Sequence, residues 1–127
     1  MIGFPLRVWP GRWTVCRLAP DDAVPAWATV PAPLVVVSRS QTELSILVPE
    51  AHVPDQVTSE RGFRVIEVVG PVPFAVTGLI ASLSQPLAAA GISLFPVATY
   101  DTDYVLVQDA SLASAVDVLR AAGFTVE

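Results

Sequence analysis

Residues 63–107 read FRVIEVVGPVPFAVTGLIASLSQPLAAAGISLFPVATYDTDYVLV, and the order of periodicities inside this stretch decides the fold. No charged residue occurs from Val68 to Tyr100, a span longer than the ~20 residues a membrane helix needs. Gly70, Pro71 and Pro73 break its beginning and Gly91 and Pro96 its end. The helix-length piece that remains carries Ser82, Ser84, Gln85 and Pro86, so the stretch reads as strand, helix, strand buried in a soluble domain.

Working outward, Phe63–Val69 is β-branched and bounded by Gly62 and Gly70, a strand. From Thr77 to Ala90, Leu79, Ile80, Leu83, Leu87 and Ala90 recur at helical spacing, with Thr77 as N-cap and Gly91 at the left-handed stop. Pro86 removes one donor and is expected to bend or tighten the last turn rather than abolish the helix. Ile92–Ala98 and Tyr104–Gln108 are strands of an antiparallel hairpin whose tip is polar. Ser111 caps a second helix with its apolar stripe at Leu112, Ala115, Val116, Leu119 and Ala122. Gly123 closes it, and Phe124–Glu127 supplies a last strand. The order βαββαβ predicts an α+β, ferredoxin-like fold, two helices on one face of a four-stranded antiparallel sheet.

The first half echoes this plan with less helix. Leu34–Ser38 and Leu44–Val48 read as strands, and SRSQTELSILV (Ser38–Val48) aligns with ATYDTDYVLV (Ala98–Val107). Thr42 then matches Thr102, Glu43 matches Asp103 and Leu44 matches Tyr104. Pro20 and Pro25 limit DDAVPAWA (Asp21–Ala28) to a turn or two, so the first unit is a degenerate repeat contributing mainly sheet. Leu6–Trp9 and Trp13–Leu18 flank Pro10-Gly11 as a hairpin within it. The expected division is tandem, with residues 1–62 as the degenerate unit and 63–127 as the complete one.

Composition excludes several classes. Hydrophobic residues make up 53% and charged ones 15% of the 127-residue chain, so disorder is excluded. With Lys+Arg 7 against Asp+Glu 12 there is no basic surface for nucleic acid. Arg61-Gly62-Phe63 opens like an RNA-recognition signature, but Arg64 and Val65 then break it. The single Cys, Cys16, has no disulfide partner in the chain and no secretory leader is legible after Met1, which points to the cytoplasm.

The continuous pattern GPVPFAVTGLIASLSQPLAAAGISLFPVATYDTDYVLV, Gly70–Val107, resembles the ACT domains of small bacterial proteins related to CASTOR-type amino-acid sensors. PGRWTVCRL, PAWA and SRSQTELSILVP resemble that family's first ACT unit. The resemblance implies a regulatory protein without catalytic activity or cofactor, binding a free amino acid or similar small zwitterion between its halves or between subunits of a homodimer, with a regulated protein as downstream partner. It implies ligand contacts at Pro73, Thr77, Gly78 and Leu79 around the helix start, and at Thr99, Tyr100 and Asp103 on the following strand end. These positions have suitable chemistry. A helix N-terminus offers unpaired N–H groups to a carboxylate, and Gly78 lets it approach the backbone. Asp103 offers a counter-charge to an ammonium, and Tyr100 a flat apolar face.

Other features have blander readings. Asp101 is a turn residue, and Asp103 has that alternative too. Glu43 reads as a surface charge rather than the mark of a second site. His52, the single histidine, reads as a loop residue, not a general base, and Cys16 as a packed strand residue. Trp9, Trp13 and Trp27 belong to core or subunit interface. The acids lack the ligand count of a metal loop. A second reading, from another class, is a protein-interaction or oligomerisation module that keeps ACT packing without a ligand.

Overall fold

The computed structural model describes residues 3–127. In chain order the elements are β1 (Leu6–Val8), β2 (Trp13–Leu18), β3 (Val36–Arg39), β4 (Leu44–Pro49), β5 (Ser59–Val68), α1 (Leu79–Ala89), β6 (Phe95–Ala98), β7 (Asp103–Gln108) and α2 (Leu112–Ala121). Short 3-10 turns cover Ala26–Ala28, Glu50–His52 and Asp109–Ser111. The chain divides into two compact units, Gly11–Phe63 and residues 3–10 together with Arg64–Glu127.

In the second of these units β5 neighbours β7, and β6 pairs antiparallel with β7 from Phe95–Leu106 to Ala98–Asp103. Alternation along the strands turns Ile66 and Val68 of β5, and Val105 and Val107 of β7, into one core with Leu79, Leu83 and Leu87 of α1 and Ala115 and Leu119 of α2. The C-terminal ends of the helices read as expected because they are written in local chemistry, whereas Ser111 stands at the N-cap position of α2 without a side-chain cap hydrogen bond. Gly91 (φ 73°) and Gly123 (φ 103°) are left-handed. Behind them Ile92 N–H bonds to Leu87 carbonyl and Gly91 N–H to Ala88 carbonyl, and likewise Phe124 to Leu119 and Gly123 to Arg120. Both are Schellman closures, which only a residue tolerant of positive φ completes cheaply. Helix α1 runs through Pro86 without being abolished, and at its end Ala90 N–H is shared between the carbonyls of Pro86 and Leu87, the tightening common at helix ends.

The N-terminal hairpin is corrected. Instead of folding back on β2, β1 pairs antiparallel with β5, Leu6 opposite Val68 and Val8 opposite Ile66. On its other side it takes the C-terminal residues in parallel. Leu6 N–H donates to Thr125 carbonyl (2.8 Å), Glu127 N–H to Leu6 carbonyl (2.8 Å) and Val8 N–H to Glu127 carbonyl (3.1 Å). The last segment of the βαββαβ order therefore meets β1, which is inserted beside the first strand of that order. The cause is burial: Leu6 is fully buried in the core with Val68 and Val126, a site that a two-stranded ribbon does not offer.

In the Gly11–Phe63 unit, β4 lies between β3 and β2, antiparallel to both, and the first part of β5 pairs with β2. Cys16, Leu44, Ile46 and Val48 turn one face into a core with Ala28 and Val53. Asp21–Ala28 contributes only the 3-10 turn at Ala26–Ala28, as its prolines dictate. Trp13 is buried and donates its indole N–H to Leu34 carbonyl (3.0 Å), and Trp27 packs against that core.

Candidate functional site

The segment between β5 and α1 and the β6–β7 tip are tied to each other, and a cavity lies between them. Its volume is about 170 Å³, and its walls are Val72, Pro73, Phe74, Val76 and Leu79 on one side and Ala98, Thr99, Tyr100, Thr102 and Asp103 on the other. Of the residues that the resemblance names, Pro73, Leu79, Thr99, Tyr100 and Asp103 line this cavity together. Thr77 and Gly78 do not line the cavity. Thr77 is also not the N-cap: Gly78 occupies that position at φ 79°, with no side-chain cap, and α1 begins at Leu79. A left-handed backbone there favours glycine over threonine, whose branched Cβ is strained at positive φ.

The tip is a self-bonded turn. Thr99 N–H and Oγ1–H both donate to Thr102 carbonyl (2.8 and 3.0 Å), and Thr102 N–H returns to Thr99 Oγ1 (3.4 Å). This fixes where Tyr100 and Asp103 leave the backbone. Phe74, 77% exposed, and Tyr100, 80% exposed, meet edge to face with ring centroids 5.0 Å apart at the cavity wall. Phe74, Val72 and Val76 carry no polar motif, which is why residue-type reasoning missed them; the place of Phe74 beside Pro73 in the loop before the helix was the available signal.

Behind the tip lies a second cavity of about 350 Å³, lined by Glu67, Val69, Gly70, Pro71, Asp101, Thr102 and Tyr104. Trp9 donates its indole N–H to Glu67 Oε1 (2.9 Å) and stands edge to face with Tyr104 at 5.7 Å. Burial, and then the carboxylates of Glu67 and Asp101, push the Tyr104 phenol above its ordinary pKa, because each disfavours the phenolate.

The equivalent hairpin of the other unit shares the turn chemistry but shifts the alignment. Ser40 N–H and Oγ–H donate to Glu43 carbonyl as Thr99 does to Thr102, and Arg39 pairs with Leu44 as Ala98 does with Asp103. By backbone register Glu43 corresponds to Thr102 and Leu44 to Asp103, one residue away from the sequence alignment. Leu44 is fully buried, so that hairpin carries no acid at the Asp103 position.

The remaining candidates fall elsewhere. His52 ends the 3-10 turn Glu50–His52. Cys16 is buried, and desolvation raises its pKa against the lowering by Arg61 and a Thr14 hydrogen bond, so it is a poor thiolate. Among the described residues no group of three or more His, Cys, Asp or Glu could hold a metal ion, and no helix is long and apolar enough to cross a membrane.

An α+β unit with paired helices on a β-sheet and a cavity between the pre-helix loop and a hairpin tip defines the class, and comparison with known proteins agrees. A family model described as the ACT domain matches residues 58–121, half of the chain, and the protein belongs to the ACT domain family. A separate model, for an N-terminal domain, matches residues 11–56. The "cytosolic arginine sensor for mTORC1 subunit 1" of Homo sapiens and that of Bos taurus are each 34% identical over 67 residues, 50% of this chain and 20% of theirs. The match therefore takes in about a fifth of the length of these curated relatives. A crystal structure of an Agobacterium tumefaciens protein superposes with a TM-score of 0.91 and 32% identity over 98% of this chain and 92% of that one. The ligand-free regulatory subunit of aspartate kinase from Thermus thermophilus superposes with a TM-score of 0.65 over 96% of this chain and 98% of that one; at 9% identity the likeness is one of fold.

Proposed function

We propose that this ACT protein is a non-catalytic regulatory module that binds a free amino acid, or a similarly small zwitterion, in the cavity between Val72–Leu79 and Ala98–Asp103. The observation that carries the reading is that cavity itself. At about 170 Å³ it is below the roughly 300 Å³ where drug-sized pockets begin, a size for a compact ligand. It combines an acid at Asp103, aromatic faces at Phe74 and Tyr100, and the first residue of an eleven-residue helix at Leu79. In this reading Asp103 receives an ammonium, and the uncapped first turn of α1, which begins at the cavity residue Leu79 just after Thr77 and Gly78, receives a carboxylate by its backbone N–H groups. The names of relatives, an arginine sensor and a kinase regulatory subunit, support a sensing role for the family.

We further propose a cytoplasmic homodimer in which the expected degenerate ACT-like repeat is narrowed from residues 1–62 to 11–62, because β1 packs in the other unit; the shared turn chemistry of the Ser40 and Thr99 tips supports the repeat. The absence of an acid at Leu44 fits one competent site per chain. The test is thermal unfolding against a panel of free amino acids. A ligand present at about 100 times its dissociation constant adds ~2.7 kcal/mol, a shift of several degrees. Selective shifts that vanish in Asp103→Ala, with its unliganded midpoint unchanged, are expected. A flat panel refutes the reading.

One observation favours a second reading, an interaction module. Phe74 and Tyr100 are large, exposed and adjacent. That reading predicts a flat panel together with loss of self-association, measured by sedimentation, in Phe74→Ala.

A further inference from the structure

The two walls of the cavity belong to segments that could drift apart, since the pre-helix loop has neither helix nor strand of its own from residue 69 to 78. What joins them is a compact set of contacts centred on Thr102. Its side chain is buried, 7% exposed, and Oγ1–H donates to Val68 carbonyl at the end of β5 (2.5 Å). Its own carbonyl receives both Thr99 bonds. The preceding carbonyl, Asp101, accepts Val72 N–H (2.6 Å), which fixes the first residue of the opposite wall. Gly70 makes the approach possible. A Cβ there would stand 2.8 Å from Val72 N, closer than real Cβ atoms come, and 3.0 Å from Asp101 O and 3.3 Å from Thr102 Cβ, where the neighbours would have to give way.

We propose that Thr102 is a positioning residue of the ligand site: its buried hydroxyl, bonded to Val68 carbonyl at the end of β5 while its Cβ packs beside Gly70, latches the β6–β7 tip to the start of the pre-helix loop and so holds the cavity open at one width before ligand arrives. This rests on the ligand reading above and adds to it the residue that sets the spacing of its walls. Thr102 touches the cavity, but its hydroxyl is committed to Val68, so it acts through Asp103, Tyr100 and Val72. Preorganisation of this kind lowers the ordering cost of binding.

The test uses Thr102→Val, which keeps the shape and removes the donor, Thr102→Ser, which keeps the donor, and Gly70→Ala, which drives a methyl into the latch. In the free protein, amide hydrogen exchange at Val72 and Thr99 is expected to quicken about tenfold in Thr102→Val, the effect of one hydrogen bond, and to return towards wild type in Thr102→Ser. Core amides such as Leu87 and Leu119 keep their order of protection. With ligand, the stabilisation in the amino-acid panel is expected to shrink in Thr102→Val and Gly70→Ala and to survive in Thr102→Ser. Unchanged Val72 and Thr99 exchange, or a uniform loss across all amides, overturns the latch. Equal ligand-induced shifts in wild type and Thr102→Val overturn the positioning role and leave the ligand reading standing, whereas no shift in wild type removes the ligand reading and the positioning role with it.

Discussion

Helix α1 is bracketed by glycines in nearly the same backbone conformation, Gly78 at φ 79° before it and Gly91 at φ 73° after it, and this permits a matched pair of substitutions. A Cβ built on either meets nothing within 4 Å, so replacement by alanine adds no clash, only left-handed strain. That strain costs about 1–2 kcal/mol, offset by about 0.4–1 kcal/mol from the lower chain entropy of the unfolded state. Each variant should therefore lose about 1 kcal/mol, read by urea unfolding, or roughly 3–5 °C in midpoint for a chain of this size. The two differ in place. Gly78 precedes Leu79 at the cavity, and an N-cap side chain reaches toward the first-turn N–H groups, where a ligand carboxylate is proposed to sit. Gly91 lies beyond the opposite end. Gly78→Ala should thus weaken the amino-acid-induced shift at a stability cost that Gly91→Ala shares without that effect. If neither loses stability, the left-handed assignment fails. If both lose stability and respond equally to ligand, the carboxylate does not use the helix start.

Two further outcomes follow from packing and charge. Leu119→Ala removes a fully buried side chain from between α2 and the sheet and should cost about 2–5 kcal/mol by chemical denaturation; a loss under 1 kcal/mol would mean the site collapses around the deletion. The Tyr104 phenol, raised by burial and then by Glu67 and Asp101, binds its proton more tightly folded than unfolded. Its contribution is full below pH ~10 and lost as pH rises through the folded value, so stability should fall between pH ~10 and that value more steeply in wild type than in Tyr104→Phe. Parallel declines would contradict it.

What was legible in the sequence was what short-range chemistry determines. The helices and their glycine stops depend on residues within a few positions of one another, and both Schellman closures fall where Gly91 and Gly123 stand. The pairing of β1 depends on residues some 60 positions away and on the burial of one leucine. A three-residue strand carries too little alternation to announce a distant partner, while Pro10-Gly11 advertises a local turn that is not a hairpin. Gly78 instead of Thr77 at the head of α1 is a nearer miss: both suit an N-cap, and the backbone sign that separates them is not a composition signal. That Pro73, Leu79, Thr99, Tyr100 and Asp103 belong near one another followed from the resemblance carried by Gly70–Val107; the packing of Thr102 against Gly70 and Val68 did not, because it joins a hairpin tip to a strand end and loop by one hydroxyl and the absence of a methyl.

The two hairpin tips separate what is generic in this site from what is specific. Ser40 and Thr99 build the same turn, so a hydroxyl bonded to a carbonyl three residues on is what the loop length requires in either unit. At the next positions the tips diverge. Glu43 stands where Thr102 is and bears no hydroxyl to donate, and Leu44 points a fully buried side chain into the core where Asp103 faces a cavity. A tip can therefore keep its turn after losing both the latch and the acid. Binding chemistry should accordingly be sensitive to Thr102 and Asp103 and indifferent to Ser40 and Thr42, although the sequence alignment alone made Thr42 the twin of Thr102.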